Sequence, residues 1–349
     1  MDSLTGVSDA NVLLAGHLAR RYPPINLQAA DQPLFSSALE TAIPDTQLEQ
    51  LSNVRISPEG YLFQGTRLLA ESFASSRDMR GWKRMTRTIN FLATAPRRTR
   101  THFAEPVTWI TDNWSTGYFH WMTDALPRLL ALGVRIQETM LILPAGLQAA
   151  NFVRDSLRPF KLSRIHVLQP GEVAVCDTLL LPNHTAPTGN YHEPLIRSLR
   201  QNYSESANFL EPSKFSHRIY ISRSRAQRRK IANEAEVLSL LEEFQFQTVY
   251  FEDRSFEEQV QIAQHAKYLV ANHGAGLTNM LFMQAGASVL ELRLENDGSN
   301  NCYFSLASAL ELKYYYQTCA GENPDESSHM ANLIVDIERL RQNLTQMLA

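Results

Sequence analysis

The chain has 349 residues, of which 44% are hydrophobic and 20% are charged, so it is long and apolar enough to fold into two domains. A net charge of −3 argues against a dedicated nucleic-acid-binding protein, which usually carries a strong basic excess. The three cysteines, Cys176, Cys302 and Cys319, form no CxxC pair. The sequence therefore indicates neither a zinc site nor a disulfide framework and favours a reducing compartment.

The amino-terminal residues lack the basic start and the apolar run of a secretory signal peptide. The chain also has no run of about 20 apolar residues that would span a bilayer. We therefore expect a cytoplasmic protein, which would reach a membrane-bound substrate as a peripheral protein at the inner face. Residues 1–105 are interrupted by prolines, and only Tyr61-Leu62-Phe63 stands out as a short strand.

Short apolar runs alternate with helical stretches from residue 106 onward. This alternation predicts a parallel sheet with crossover helices. The predicted strands are Val107–Ile110, Met140–Leu143, Arg164–Leu168 and Thr178–Leu181, and the predicted helices are 117–132 and 148–157.

A second alternating series begins near residue 213, with a helix starting after Asn233 and a capping box at Ser255 and Glu258. It predicts a doubly wound domain whose ligand crevice lies at the carboxyl ends of its strands. A final helix is predicted from about Met330 to Leu348. The strands predicted for this series are 217–222, 247–251, 267–271 and 288–292.

The turn after the strand at 267–271 contains two glycines, Gly274 and Gly276. Glycines let a backbone approach a ligand closely, and a helix that starts here presents free N–H groups to an anion. The segment suits a diphosphate, although a tight turn that merely needs glycine explains it equally well. The candidate residues are His273, Gly274, Ala275, Gly276, Leu277, Thr278 and Asn279.

The loop after Ser222 carries five cations within eight residues, from Arg223 to Lys230. Such a cluster is self-repelling unless an anion binds, and guanidinium groups pair well with phosphate. A solvated basic loop is the simpler explanation for an isolated charge run. Because this loop and the glycine turn should leave the same edge of one sheet, we favour a cradle for a nucleotide diphosphate.

Two further sites concern acids. His120 and Asp124 lie four residues apart, so a helix places them on one face, where a carboxylate beside an imidazole can act as a general base. A surface histidine and a capping aspartate on an amphipathic helix is the alternative. Pro127 predicts a kink or a break near Asp124. Glu291 lies in a predicted strand and could bind ribose hydroxyls, or simply occupy an edge position.

Three segments resemble glycosyltransferase family 61, the group that includes bacterial capsular polysaccharide biosynthesis proteins. They are FHWMTDALPRL (119–129), RIYISRSRAQRRKIANEAEV (218–237) and LVANHGAGLTNMLFMQAGASVLEL (269–292). The resemblance implies an α/β fold of GT-B type, in which two Rossmann-like domains face each other across a cleft. The domains would be 106–212 for the acceptor and 213–325 for the nucleotide-sugar, with 1–105 joining the first lobe and 326–349 as a terminal helix.

The resemblance also implies an inverting glycosyltransferase without a catalytic metal or other cofactor, and the chain contains no DxD motif. Asp124 would be the general base, with His120 as the rival base or an orienting group. Arg223 and Lys230 would hold the diphosphate of a UDP-linked sugar, His273 to Thr278 would line its phosphates and sugar, Asn279 would open the helix behind them, and Glu291 would bind hydroxyls.

The leading hypothesis is sugar transfer to a surface polysaccharide or a lipid-linked glycan. Transfer to a protein Ser or Thr hydroxyl is the second, and a non-catalytic nucleotide-binding protein on the same fold is the third. A Rossmann dehydrogenase is weaker, because the turn at Gly274 departs from GxGxxG. The sugar, the acceptor, the linkage and the oligomeric state stay open.

Overall fold

A computed structural model of the chain describes residues 11–75, 82–147, 149–206, 215–323 and 330–349. The chain divides into two compact units. The first unit comprises Met1–His17, Ala42–Val153 and Lys161–Pro187, and the second comprises Leu18–Thr41, Arg154–Phe160 and Thr188–Ala349. Sequence analysis placed the whole of residues 1–105 with the first lobe, whereas residues 18–41 cluster with the second unit.

The strands, in chain order, are β1 (Val12–Leu14), β2 (His17–Arg20), β3 (Glu40–Ile43), β4 (Thr46–Ile56), β5 (Leu62–Gln64), β6 (Arg67–Leu68), β7 (Thr99–Phe103), β8 (Val107–Thr108), β9 (Met140–Leu143), β10 (Ile165–Val167), β11 (Glu172–Pro182), β12 (Arg218–Ile221), β13 (Gln247–Val249), β14 (Tyr268–Asn272), β15 (Ser288–Leu294), β16 (Lys313–Gly321) and β17 (Leu333–Ile334).

The α-helices are α1 (Gln32–Phe35), α2 (Trp82–Thr94), α3 (Tyr118–His120), α4 (Leu126–Ala131), α5 (Asn151–Ser156), α6 (Glu193–Ser206), α7 (Glu234–Glu243), α8 (Phe256–His265), α9 (Cys302–Ala309) and α10 (Ile337–Leu348). In the described ranges, no helix combines the length and the apolar character needed to cross a membrane.

The first unit is built on a mixed sheet with the order β10-β9-β8-β11-β4-β5-β6, and β7 also pairs with β11. The strands β7 to β11 run parallel where they pair, as the alternating pattern predicts. The strand β4 pairs with β11 in the antiparallel direction, with Leu51 opposite Leu179, and β5 and β6 continue that direction. The prediction of a parallel sheet therefore holds for only part of this unit.

The second unit contains a sheet with the order β13-β12-β14-β15-β16-β17. Its first five strands are parallel, and β17 joins in the antiparallel direction. Buried side chains from the strands, α7 and α10 form one apolar cluster, which includes Val237, Leu240, Val270, Leu290 and Leu344. The predicted alternation of parallel strands with helices is confirmed, and the chain is of mixed α/β class.

Residues 18–41 complete the second unit by packing against β16. Phe35 is buried and makes edge-to-face contacts with Phe304 and Tyr316, with ring centroids 5.2 and 4.8 Å apart. The Asn26 amide donates to the Tyr316 carbonyl oxygen at 2.7 Å and accepts from the Tyr316 N–H at 3.1 Å. The Asn26 side chain therefore pairs with the β16 backbone as a strand would.

Two predicted helix starts differ in outcome. The capping box at Ser255 and Glu258 is confirmed. The terminal helix, however, begins at Ile337 and not near Met330, because Leu333 and Ile334 pair with β16 as a strand. The Asp336 carboxylate caps that helix by accepting from the Arg339 N–H at 3.0 Å.

Candidate functional site

The basic loop and the glycine turn leave the same edge of the sheet in the second unit. The strands β12 and β14 are parallel neighbours with Ile221 opposite Ala271, so the chain leaves both strands at their carboxyl ends. Ligands of open α/β sheets bind at this edge. The sequence-based expectation that these two segments converge is therefore confirmed within this unit.

The Arg223 guanidinium lies directly against Gly274. A Cβ atom built on Gly274 would lie 2.6 Å from Nη1 and 3.0 Å from Cζ of Arg223, which is closer than any side chain tolerates. Gly274 has extended backbone angles (φ 162°), so conformation does not require glycine here. The absence of a side chain at Gly274 instead makes room for the guanidinium of Arg223.

Gly276 has a different role, because its virtual Cβ would lie 3.1 Å from Cγ2 of Ile221 on β12. The turn continues as a 3-10 helix, Ala275–Phe282, in which Leu277, Thr278 and Asn279 are buried. Sequence analysis expected Asn279 to open a following helix. In the structure it lies inside the 3-10 helix, where its amide donates to the Gly276 carbonyl oxygen at 3.2 Å.

Arg223 and Arg229 are both half-buried and lie close enough to repel each other. Burial lowers the pKa of the Arg223 guanidinium, and the positive charge of Arg229 lowers that pKa further. Neither Nε atom has a hydrogen-bond partner, and neither side chain forms an ion pair, within the parts of the chain that the structure describes. Because arginine stays protonated in proteins, the pair concentrates positive charge at this edge of the sheet and is able to bind an anion.

The other cations of the loop are placed differently. Arg225 pairs with Asp253 and stacks on Tyr250, with Cζ 4.1 Å from the ring centroid, so its charge is already compensated. Arg228 is exposed. Lys230 is held by its backbone, whose N–H donates to the Asn332 side chain at 2.8 Å. The loop is thus anchored at one end, and two of its arginines face inward.

His273 is held by a buried carboxylate. Its Nδ1 lies 2.5 Å from Oε1 of Glu291, and the Tyr314 hydroxyl donates to Oε2 of Glu291 at the same distance. Burial alone would raise the pKa of Glu291, but the charge of His273, with that of Arg293, keeps the pKa below its usual value. Glu291 is therefore ionised and fixes Nδ1 of His273, which leaves Nε2 for a ligand.

Both carboxylate oxygens of Glu291 are engaged, and the side chain is fully buried. A direct contact with ribose or sugar hydroxyls would require one of these bonds to be given up. Beside the ring of His273 lies a shallow pocket whose wall includes Arg229 and Asp297. The Arg229 guanidinium suits a phosphate there, and the Asp297 carboxylate suits a hydroxyl.

The first unit holds His120 and Asp124 in one helical segment. The helix α3 passes directly into a π-helix, Trp121–Ala125, and then into α4, so the chain does not break near Asp124 as Pro127 suggested but forms a π-turn there. Single π-turns are frequent at functional sites. His120 Nδ1 lies 2.8 Å from Asp124 Oδ2, and the side chains are 26% and 4% exposed. Solvent therefore reaches the imidazole and scarcely reaches the carboxylate.

A second pair of the same kind lies in this unit. His184 Nε2 lies 2.9 Å from Asp112 Oδ2, and the side chains are 27% and 2% exposed. The buried Arg128 lies near both aspartates and donates to the carbonyl oxygens of Pro182 and Ile110. Its charge compensates the carboxylates without forming a direct ion pair with either.

Sequence analysis missed three of these residues. Arg229 was predicted only as one of five cations in the basic loop. The expected repulsion within that cluster is the signal that points to cations without an ion-pair partner in the described part of the chain, of which Arg229 is one. Asp112 comes two residues after the predicted strand Val107–Ile110 and was not predicted as a site residue, and His184 follows the strand β11. Their partnership joins residues 72 positions apart, which no local pattern reveals.

Residues 118–290 match the family model described as Glycosyltransferase 61. The match covers 173 of the 349 residues, just under half of the chain, and includes His120, Arg223, Arg229 and the whole glycine turn. The resemblance found from the sequence is confirmed at this level.

Among curated proteins, the chain is similar to the human protein O-linked-mannose beta-1,4-N-acetylglucosaminyltransferase 2, at 47% identity over 72 residues. It is also similar to the EGF domain-specific O-linked N-acetylglucosamine transferase of Drosophila melanogaster, at 33% identity over 121 residues. These segments cover 20% and 32% of this chain but only 12% and 23% of the two relatives. Both are animal transferases and neither is named for capsule synthesis.

Proposed function

We propose that this protein is a glycosyltransferase that moves a sugar from a nucleotide diphosphate donor to an acceptor hydroxyl. The observation that carries the proposal is the pair Arg223 and Arg229, half-buried at a sheet edge, mutually repelling and without a direct ion-pair partner among the described residues. A diphosphate leaving group supplies the missing negative charge. The match to the Glycosyltransferase 61 model supports the same reaction class.

Donor binding is assigned to the second unit. Arg223 and Arg229 would bind the diphosphate and stabilise the charge that develops on it as the bond to the sugar breaks. Protonated His273 would donate from Nε2 to a phosphate oxygen, whereas neutral His273 would accept a hydroxyl there. We propose a UDP-linked donor and a metal-independent reaction, because fixed cations supply the charge that a divalent ion supplies elsewhere.

Proton removal is assigned to the first unit. We propose His120 as the general base and Asp124 as the residue that orients it, since solvent reaches the imidazole but scarcely reaches the carboxylate. His120 Nε2 would take the proton of the acceptor hydroxyl while the oxygen of that hydroxyl attacks the anomeric carbon of the donor sugar. The bond from that carbon to the diphosphate breaks in the same step, so the configuration inverts.

The acceptor, the arrangement of the units and the location are the finer parts of the proposal. The names of the relatives favour an acceptor carried by a protein, and a surface polysaccharide or lipid-linked glycan is the second candidate. The GT-B arrangement implied by the family resemblance is proposed with the reaction. A cytoplasmic location stays a prediction.

Thermal unfolding with UDP-, GDP-, CMP- and dTDP-sugars tests the donor assignment. A ligand that binds only the folded state adds about 2.7 kcal/mol of stability at a hundredfold excess over Kd, so a true donor should raise Tm clearly. We expect UDP-sugars to raise Tm most, with the same shift in EDTA. A shift that EDTA abolishes and Mg²⁺ restores would overturn metal independence.

Hydrolysis of the UDP-sugar separates an enzyme from a binding protein. We expect slow release of UDP without an acceptor, because water can take the place of the acceptor hydroxyl. Binding without any hydrolysis or transfer, across a broad panel of glycan and peptide acceptors, would instead support the non-catalytic protein. Absence of binding to every nucleotide-sugar would end the proposal.

A further inference from the structure

The pair of Asp112 and His184 has no part in the proton transfer described above. One base is enough to deprotonate one acceptor hydroxyl, and His120 already serves. Yet Asp112 is held by several bonds: its Oδ1 accepts from the Trp114 N–H at 2.9 Å and from the Ser115 hydroxyl at 3.2 Å. Its Oδ2 holds His184. The imidazole is thus fixed at the surface by a buried, fully engaged carboxylate.

The imidazoles of His120 and His184 are linked through Trp114 and Asp112. The turn that binds Asp112 also carries the Trp114 side chain, whose ring lies 5.0 Å from the ring of His120. Trp114 is only half-buried. Because β8 and β11 are parallel neighbours, Asp112 and His184 follow their carboxyl ends at one edge of the sheet. A half-buried indole that contacts the ring of His120 is therefore linked through Asp112 to the imidazole of His184.

Two further pairs on the same sheet differ from each other in burial. His102 on β7 and Asp177 on β11 lie 2.8 Å apart, and their side chains are 59% and 49% exposed, so neither orients the other strongly. His166 on β10 and Glu172 on β11 also lie 2.8 Å apart, with side chains 31% and 8% exposed. A buried carboxylate that holds a partly exposed imidazole is therefore not special to Asp112 and Asp124. What distinguishes their two pairs is Trp114, whose ring lies beside His120 and whose backbone N–H donates to Asp112.

We propose that Trp114 and His184 form a binding site for a sugar ring of the acceptor, beside the base His120. The indole would cover the apolar face of the ring, and the imidazole of His184 would bind one of its hydroxyls. A serine or threonine side chain offers a single hydroxyl and no ring, so it would leave Trp114 and His184 unused. The acceptor is therefore a glycan and not a bare hydroxyamino acid.

This inference rests on the proposed function but reaches beyond the matched family segment. Asp112 and Trp114 both precede residue 118, where the match to the family model begins. The site would thus determine the specificity of this particular chain, and the relatives need not share it.

Saturation-transfer NMR on the full chain tests the site without knowledge of the natural acceptor. The probes are methyl α-mannoside, methyl β-N-acetylglucosaminide and methyl β-galactoside, with N-acetylserinamide as the mimic of a serine acceptor. The variants are Trp114→Leu, His184→Ala and His184→Gln, with His102→Ala as the matched control. UDP affinity and Tm are measured for every variant, so a folding defect is recognised separately.

We expect at least one methyl glycoside, and not N-acetylserinamide, to receive saturation from the wild-type chain. Loss of the His184 hydrogen bond or of the Trp114 indole should lower the affinity for that glycoside by about tenfold. His102→Ala should bind as the wild type does, and UDP affinity should be the same throughout. His184→Gln keeps a donor for Asp112, so it separates loss of sugar binding from loss of fold.

Equal glycoside affinity in Trp114→Leu, His184→Gln and the wild type would overturn the site. Binding of N-acetylserinamide alone, or of no probe at all, would do the same. Failure of the wild-type chain to bind UDP is a separate result, because it removes the proposed function and says nothing of sugar binding by the first unit.

Discussion

In both sheets polar residues follow the carboxyl ends of parallel strands, but they are mainly carboxylates with imidazoles in the first unit and arginines in the second. At the carboxyl ends of β8 and β11 in the first unit, buried carboxylates hold imidazoles, in the pairs of Asp112 with His184 and Asp124 with His120. At the ends of β12 and β14 in the second unit, Arg223 and Arg229 have no carboxylate partner among the described residues. One edge is suited to accept protons and the other to receive an anion.

In both units the carboxyl ends of parallel strands determine where the polar residues lie. Which ligand can bind there depends on the charges that the protein itself leaves uncompensated. Arg128 in the first unit shows the contrast best. It is 2% exposed, among the most deeply buried charges of the described residues, but two aspartates lie near it and its N–H groups reach backbone oxygens, so it needs no ligand. Arg223 is compensated less well: Glu252 acts on it, but so do the like charges of Arg229 and Arg228, and its Nη2 reaches the Arg228 carbonyl oxygen only at 3.4 Å.

The largest expected effect tests whether the two edges act separately. His120→Ala should lower turnover by about 100-fold or more, since general-base catalysis contributes at least that much. The Kd for UDP, measured by calorimetry, should not change. His102→Ala removes an imidazole from an exposed pair on the same sheet and should leave both quantities unaltered. A matching loss of UDP binding in His120→Ala would contradict the separation.

Removal of one of the inward-facing arginines should weaken UDP binding but increase the stability of the protein without ligand. In Arg223→Met or Arg229→Met, the Kd for UDP should rise by about 10- to 100-fold, the usual loss for a charged hydrogen bond. Tm without ligand should rise, because one of two repelling cations is gone. Arg341→Met also removes one positive charge, from an exposed pair with Glu243, and serves as the control. A fall in Tm together with unchanged UDP affinity would show that the pair is structural.

The two glycines of the turn offer a sharper comparison inside one segment. Gly274→Ala should displace the Arg223 guanidinium and weaken UDP binding while Tm changes little, because the end of a flexible side chain can move. Gly276→Ala should instead lower the free energy of unfolding by about 1–3 kcal/mol, since its Cβ presses on Ile221 in the core. Denaturant unfolding and calorimetry on both variants distinguish these outcomes, and reversed effects would refute both roles.

The smallest effect concerns pH. Because the pKa of Glu291 in the folded chain lies below that of an unfolded glutamate, about 4.3, its stabilisation is complete above that value. It is lost as the pH falls from there towards the folded-state pKa. Glu291→Gln should therefore show a shallower loss of unfolding free energy between about pH 5 and 3 than the wild type. If the unfolding free energy from urea titrations falls with pH at the same slope in Glu291→Gln and in the wild type, Glu291 is not ionised in the folded protein.

Much of the second unit could be predicted from the sequence because its information is local. Each strand of its parallel sheet is followed at once by its loop, so the meeting of the basic loop with the glycine turn needed only the strand order. The role of Gly274 was inverted, however. The sequence suggested space for a ligand, whereas a side chain from another loop, Arg223, fills that space.

The first unit was harder to predict because its decisive pairings are remote. The strand β4 aligns with β11 across more than a hundred residues, and no pattern within residues 1–105 announces that partner. The same distance hid His184 from Asp112. By contrast, the pairing of His120 with Asp124 was predicted from the sequence, because residues four apart lie on one face of a helix. Pro127 likewise indicated an irregularity near Asp124. What sequence reasoning could not supply was which member of that pair solvent reaches.

The contact between Asn26 and Tyr316 joins positions 290 residues apart. During synthesis, the segment around Asn26 therefore cannot pair with β16 until the chain 290 residues further along has been made. Phe35 lacks its aromatic partners Phe304 and Tyr316 for the same time. The last step in the folding of the second unit should accordingly be slow, with chaperone dependence concentrated on the segment around Asn26 and Phe35.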